Sequence, residues 1–283
     1  MAMRRMILAL LAAIVSIVVA EAQPKPPVVT FPRIYVFEGG SIKGLDPKLF
    51  NFKREELKEV DFVNVAYLVV HPKGTIMFDT GGIPDSAFKP GGGTVTEGIM
   101  SATKPLKPQL AAVGYKPSDI RYLILSHYHS DHTGNANAFA GATWIAQKAD
   151  RDFMFADKPQ GIIQPATYNA LKGAKTRILD NEDLDVFGDG TVVIKSAPGH
   201  TPGHQVLFVK LAKTGGVVLS GDLYHYPQER TMNRYPTFEF NEEQTRGART
   251  AVEEFLARTK SQLWIQHDIL TNATLKKSPQ YYD

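Results

Sequence analysis

Cysteine is missing from all 283 residues. Without a thiol the chain can form no disulfide, carry no lipid on a cysteine and hold no zinc through thiolates, so its stability must come from a packed core. Runs of Lys or Arg interleaved with aromatics are missing too, and the formal net charge is only +3. Nucleic acid is therefore not an expected partner. There is no internal repeat and no low-complexity stretch. What is present is ordinary globular material, 43% hydrophobic and 22% charged, enough to bury a sizeable core in one large or two small domains.

The one long apolar run stands at the start. Arg4 and Arg5 precede uninterrupted apolar and small residues from Ile7 to Ala20, and Ala20-Glu21-Ala22 offers small side chains at the two positions a signal peptidase reads. This is the pattern of a secretory signal peptide, residues 1–22, cleaved after Ala22. The rival reading is an uncleaved anchor, but the run is short against the ~20 residues of a bilayer span. Residues 23–30 form a Pro-rich linker, and 31–283 are expected to be a single catalytic domain. Cleavage removes two Arg and one Glu, which lowers the net charge to +2. The expected address is periplasmic or secreted, with no stable membrane insertion of the mature chain and a homodimer as an open expectation.

Strand signals recur along that domain. R-I-Y-V-F (33–37) reads as a strand ended by Gly39-Gly40. Residues 61–70 and 75–78 form a hairpin across H-P-K-G, where His71 reads as a solvated turn residue. Residues 83–108 are rich in breakers and read as a loop before a short helix near 108–113. Strands follow at 121–125, 142–146 and 191–195, a hairpin at 205–211 and 216–220, and a last strand at 263–266. Helices are expected within 147–172. Another is capped by Asn241 and buries Ala248, Val252, Phe255 and Leu256 on one face. Two strand-rich sets, each followed by helices, predict an α/β fold of the α+β type, a four-layer αββα sandwich, rather than a doubly wound sheet.

Residues 126–132 read S-H-Y-H-S-D-H. His127 and His129 lie two apart on extended chain and point to one side; Asp131 and His132 follow at the turn toward a helix. Four donors are too many for one tetrahedral ion and about half of what two ions require. Strand ends supply the others: His200 after 191–195, Asp222 after 216–220 and His267 after the last strand. His204 begins a strand and reads as structural. Asp79 either orients a metal ligand through a hydrogen bond or caps its own turn.

H-x-H-x-D-H at 127–132, G-H-T-P-G-H at 199–204, S-G-D at 220–222, the late strand-end His267 and the F-D-T-G turn at 78–81 together resemble the metallo-β-lactamase superfamily. The resemblance runs from about Val60 to Asp268. It implies that His127, His129 and His200 hold one metal, that Asp131, His132 and His267 hold a second, and that Asp222 bridges them. The imidazole-rich set suits two zinc ions, with iron, manganese or cobalt as alternatives. The iron-dependent redox branch usually has Glu at the position of His129. Two metals ~3.5–4 Å apart would depress the pKa of a bridging water, so the expected chemistry is hydrolysis by hydroxide.

The substrate is expected to be a small molecule with an acyl tail. Zinc β-lactamases of the commonest type place a Cys on the second metal, and the Cys-free type usually lacks a carboxylate at Asp222. The branch most resembled is the quorum-quenching N-acyl-homoserine lactonases, through the bridging Asp, the H-D-I close at 267–269 and the tail Tyr281-Tyr282. Those enzymes often carry a Tyr three residues after the bridging Asp, where this chain has His225, flanked by Tyr224 and Tyr226. Asp131, Asp222, His225 and Tyr224 are the candidate catalytic residues. Phe88, Met100, Phe153, Phe155 and Phe238 lie in stretches that could line a groove, and none is taken as a site residue. The same metals acting on β-lactams, thioesters or phosphodiesters, an iron-dependent oxygenase, and an exported metal-binding protein without turnover are the alternatives.

Overall fold

The structure, a computed structural model, describes residues 26–158 and 161–283; the expected signal peptide lies outside the described residues. The first sheet draws on β1 (Arg33–Ile42), β2 (Phe62–His71), β3 (Gly74–Phe78) and the short pair β4 (Val95–Glu97) and β5 (Met100–Ala102). After α1 (Leu106–Ala112), the first sheet is completed by β6 (Tyr122–Ile124), β7 (Thr143–Gln147) and β8 (Thr176–Leu179), with α2 (Ser130–Thr133) and α3 (Lys148–Met154) between them. Its order is β4-β5-β1-β2-β3-β6-β7-β8. The second sheet takes β9 (Leu184–Asp185), β10 (Val192–Ser196), β11 (Gln205–Leu211) and β12 (Gly215–Leu219). Then come α4 (Pro227–Met232), α5 (Glu242–Thr259), β13 (Gln262–Trp264) and α6 (Ile269–Thr274). The order here is β13-β12-β11-β10-β9.

Side-chain alternation sets the layers. On β2, Val65, Tyr67 and Val69 face the core between the sheets, while Ala66, Leu68 and Val70 face an outer core with Leu106 and Leu110 of α1 and Met154 of α3. On β11, Leu207 and Val209 face inward and Val206 and Phe208 pack against Ala248, Val252 and Leu256 of α5. Because both faces are covered, these strands read as continuous apolar runs rather than as alternation. The result is the expected αββα sandwich. Among the described residues no helix is long and apolar enough to cross a membrane.

Three expectations change. The first strand does not stop at Gly39-Gly40; it continues to Ile42 through a register shift between Glu38 and Gly40, the mark of a bulge. The stretch 83–108 contains the β4–β5 ribbon. And His71 is buried at 5% exposure, stacked on Phe187 at 4.0 Å with its Nε2 3.2 Å from Asp189.

The ends of β3, β6, β10, β12 and β13 meet along one edge of the sandwich. Backbone hydrogen bonds stitch the loops that follow: Thr80 N donates to His132 O, Gly134 N to Gly81 O, and Ser220 N to Trp264 O. Gly134 is required by close approach, since a Cβ there would lie 2.6 Å from Gly81 O.

Candidate metal centre

Seven side chains converge on that edge in two sets, His127, His129, His200 and Asp222, and Asp131, His132, Asp222 and His267. All are at least nine-tenths buried. Asp222 belongs to both. Its Oδ2 lies 3.6 Å from His127 Nε2 and 3.4 Å from His200 Nε2, while its Oδ1 lies 3.0 Å from both His132 Nε2 and His267 Nε2. Asp131 Oδ2 closes the second set, 3.3 Å from each of those two nitrogens. Ligands of a tetrahedral ion at about 2.1 Å sit about 3.4 Å apart, so both sets have ion-holding spacing.

The chemistry of the donors agrees. His200 Nε2 and His129 Nδ1 point at each other across 3.0 Å. His127 Nε2, His132 Nε2 and Asp222 Oδ1 are buried without any hydrogen-bond partner. Leaving such an atom unsatisfied costs about 1–3 kcal/mol, which a shared cation would remove. Burial first, then the neighbouring imidazoles, holds His127 and His129 well below the usual imidazole range, and a neutral ring is the ligating form. Burial also opposes charge on His132, but Asp222, Asp131 and Asp79 outweigh it and hold that ring well above the usual range. Two divalent ions fit these residues.

Partners on the far side of each ring fix its orientation. His267 Nδ1 donates to Val63 O at 3.0 Å, which turns Nε2 toward Asp222. Of the two roles expected of Asp79, at a left-handed φ of 55°, the structure shows the orienting one: its Oδ2 accepts from His132 Nδ1 at 2.9 Å. Ser126 N, Ser126 Oγ and Gln266 Nε2 hold the same carboxylate. Asp79→Asn should keep the fold and weaken binding of the second metal about 10–100-fold, because an amide cannot match the carboxylate on Nδ1. Metal titration would show it, and unchanged affinity would reduce Asp79 to a turn residue.

His204 is structural, as expected. Its Nδ1 donates to Ala197 O and its Nε2 accepts from Asp222 N at 2.9 Å, so a neutral ring clamps the strand end that carries Asp222. Burial and then His200 push it down to about 3. Glu239 and Asp150 are buried acids that went unread in the sequence. Glu239 Oε1 lies 3.5 Å from His200 Nδ1. Asp150 accepts from Thr201 Oγ1 and Gly203 N, bracing the G-H-T-P-G-H loop from α3, and burial raises it to about 7. A single acid in a loop or on a helix gives no local signal.

Of Tyr224, His225 and Tyr226, one faces the site. His225 lies with Nε2 3.3 Å from Asp222 Oδ2. Tyr224 is corrected: its hydroxyl donates to Glu253 Oε1 at 3.0 Å and it lines a separate cavity with Arg230 and Arg246, away from the cluster. Tyr226 donates to Val60 O. Among the groove candidates, Met100 and Phe238 line a cavity of about 400 Å³ that opens on Asp131, Asp222, His225 and His267. His129 and Ser130 share that end, and the opposite walls are apolar, from Ile42, Leu45, Leu49, Phe50, Phe62 and Ile162. Phe153 and Phe155 instead pack against the outer core, on Tyr128 and on Trp144 and Tyr168.

A four-layer αββα sandwich with two joined His/Asp clusters at one edge defines a metal-dependent hydrolase. Residues 60–260 match the sequence profile of the Metallo-beta-lactamase superfamily, and the chain belongs to that superfamily. It is 30% identical over 264 residues to the N-acyl homoserine lactonase AttM of Azorhizobium caulinodans, covering 89% of this chain and 98% of the relative. An AiiA variant from Bacillus thuringiensis with N-decanoyl-L-homoserine at its active site superposes with a TM-score of 0.73 at 26% identity, over 89% of this chain and all of that one. So does an N-acyl homoserine lactone hydrolase with N-hexanoyl-L-homoserine at its catalytic metal centre, with the same TM-score, identity and coverage.

Proposed function

We propose that this chain is an exported dinuclear zinc lactonase that opens N-acyl homoserine lactones, with a signal peptide at 1–22, a linker at 23–30 and one catalytic domain at 31–283. The observation that carries the substrate reading is the cavity. Its polar end is formed by His129, Ser130, Asp131, Asp222, His225 and His267, and the rest of its wall is apolar. An amphiphile with a polar ring and an alkyl tail fits that division, and the relatives named above are lactonases or hold acyl-homoserine products.

Two zinc ions in the clusters would acidify a shared water at neutral pH and polarise the lactone carbonyl. The chain's residues do the rest. Ile42, Leu45, Leu49, Phe50, Met100 and Phe238 take the tail out of water, which sets the ring against the polar end. His225 faces that end and orients the ring there by hydrogen bonding. Overall, water adds its oxygen to the acyl carbon, the bond from that carbon to the ring oxygen breaks, and a proton goes to the departing oxygen, giving a hydroxy acid. Zinc is preferred over iron, manganese or cobalt because five of the seven donors are imidazoles.

The decisive experiment follows ring opening of a medium-chain N-acyl-homoserine lactone and of a chromogenic cephalosporin in parallel, using zinc-loaded mature protein. Fast lactone opening with a near-silent cephalosporin is expected. Chelation should bring the rate to background, and about two equivalents of zinc per chain should restore it. A faster cephalosporin would remove the lactonase reading, and full activity without metal would remove the metal. N-terminal sequencing of protein from the periplasm or medium should begin at Gln23; a Met1 start retained in the cells would remove the export reading.

A further inference from the structure

Behind His225 the cavity wall continues into a buried charged chain. The Nδ1 of His225 lies 3.3 Å from Glu229 Oε1, and the His225 backbone N–H points at the same oxygen. The other oxygen of Glu229 accepts from Arg249 Nη2 at 2.5 Å. Glu229 is 0% exposed and Arg249 4%. The Arg249 guanidinium lies 4.3 Å from the Tyr224 ring and 4.4 Å from the Tyr235 ring, and it also donates to Leu223 O and Arg234 O. Each of the three guanidinium nitrogens therefore donates one hydrogen bond, and the carboxylate this arginine grips cannot turn freely.

A buried ion pair of this kind adds little stability over apolar residues of the same volume. Its location is more informative than its energy. The imidazole is also held between rings, with the Phe62 ring stacked on it at 5.7 Å and 22° and the Phe50 ring tilted against it at 5.0 Å. One nitrogen faces inward toward a carboxylate at 3.3 Å, and the other emerges on the cavity wall beside Asp222. A carboxylate on Nδ1 selects which nitrogen faces outward.

We propose that Glu229, anchored by Arg249, is a positioning residue that holds His225 with Nδ1–H turned inward and Nε2 at the polar end of the cavity, where Nε2 meets the substrate. This rests on the lactone-opening reading. It also accounts for Tyr224: that ring serves as a wall for Arg249 rather than as a substrate contact.

Glu229→Gln in zinc-loaded protein should keep the metal content and lower kcat about 10–100-fold, with KM changed less than about twofold. Placed on His225→Asn, the same substitution should cost nothing further, because the effect passes through the imidazole. An equal loss in both backgrounds overturns the proposal. The second measurement needs no variant: ¹⁵N NMR of the zinc-loaded wild-type protein should place a proton on His225 Nδ1, and an unprotonated Nδ1 overturns it as well. If Glu229→Gln does not fold, Arg249→Lys takes its place in the cycle with the same expected outcomes. A wild-type protein that opens no lactone would defeat the proposed function while leaving the NMR result to stand or fall alone.

Discussion

Asp222→Ala is expected to lose both metals and lower lactone opening by about 10³-fold or more, several kcal/mol of barrier. The reason is the division of labour on one carboxylate. Oδ2 faces the His127 and His200 nitrogens, and Oδ1 faces the His132 and His267 nitrogens. Removing it takes an anionic donor from each set at once and leaves facing imidazoles with nothing between them. His127→Ala, by contrast, removes a donor from one set only, so its metal loss should be partial while turnover still collapses. Elemental analysis of both variants alongside their rates checks this. An Asp222→Ala protein that retains two ions per chain would show that Asp222 does not join the sets.

The largest stability effect is expected from Gly199→Ala. Gly199 has φ of +139° and a Cβ there would lie 2.2 Å from both Thr245 N and Thr245 Oγ1, in the first turn of α5. Thr245 N is backbone and cannot swing aside. The loop is tied to the same turn by Asn241 N donating to Gly199 O at 2.9 Å, so relief requires moving either α5 or the segment that carries His200. Backbone strain and overpacking together cost about 2–5 kcal/mol. Gly141→Ala is the control, because nothing lies within 4 Å of its added Cβ, and its effect should stay within about 0.5 kcal/mol. Urea denaturation of the two variants with metal bound decides; similar midpoints would mean that the loop yields more easily than its contacts imply.

The seven donors were legible because their signal is local. Ion ligation places His127, His129, Asp131 and His132 within six consecutive residues, a density that no packing requirement explains. His200, Asp222 and His267 were legible because each follows an apolar run. Glu229, Arg249, Glu239 and Asp150 were not. Each sits on or beside a helix, where an acid or an arginine ordinarily faces water, and only the approach of a distant loop makes it a partner. Tyr224 and His225 show the limit most plainly. Neighbours in a turn point in opposite directions, and the turn's dihedrals, which composition does not carry, decide which one sees the cavity. The β4–β5 ribbon escaped for another reason: its two strands have three residues each and only Ala102 is buried, so there was no apolar alternation to detect.

The donors come from both halves of the sandwich. His127, His129, Asp131 and His132 follow β6 of the first sheet, whereas His200, Asp222 and His267 follow β10, β12 and β13 of the second. Each ion set therefore contains donors from the two sheets and exists only while the layers are docked. Metal binding is for that reason a cross-link between layers in a chain that has no covalent one. Its free energy is stored at the seam, so metal scarcity would loosen the two halves as it silences the enzyme.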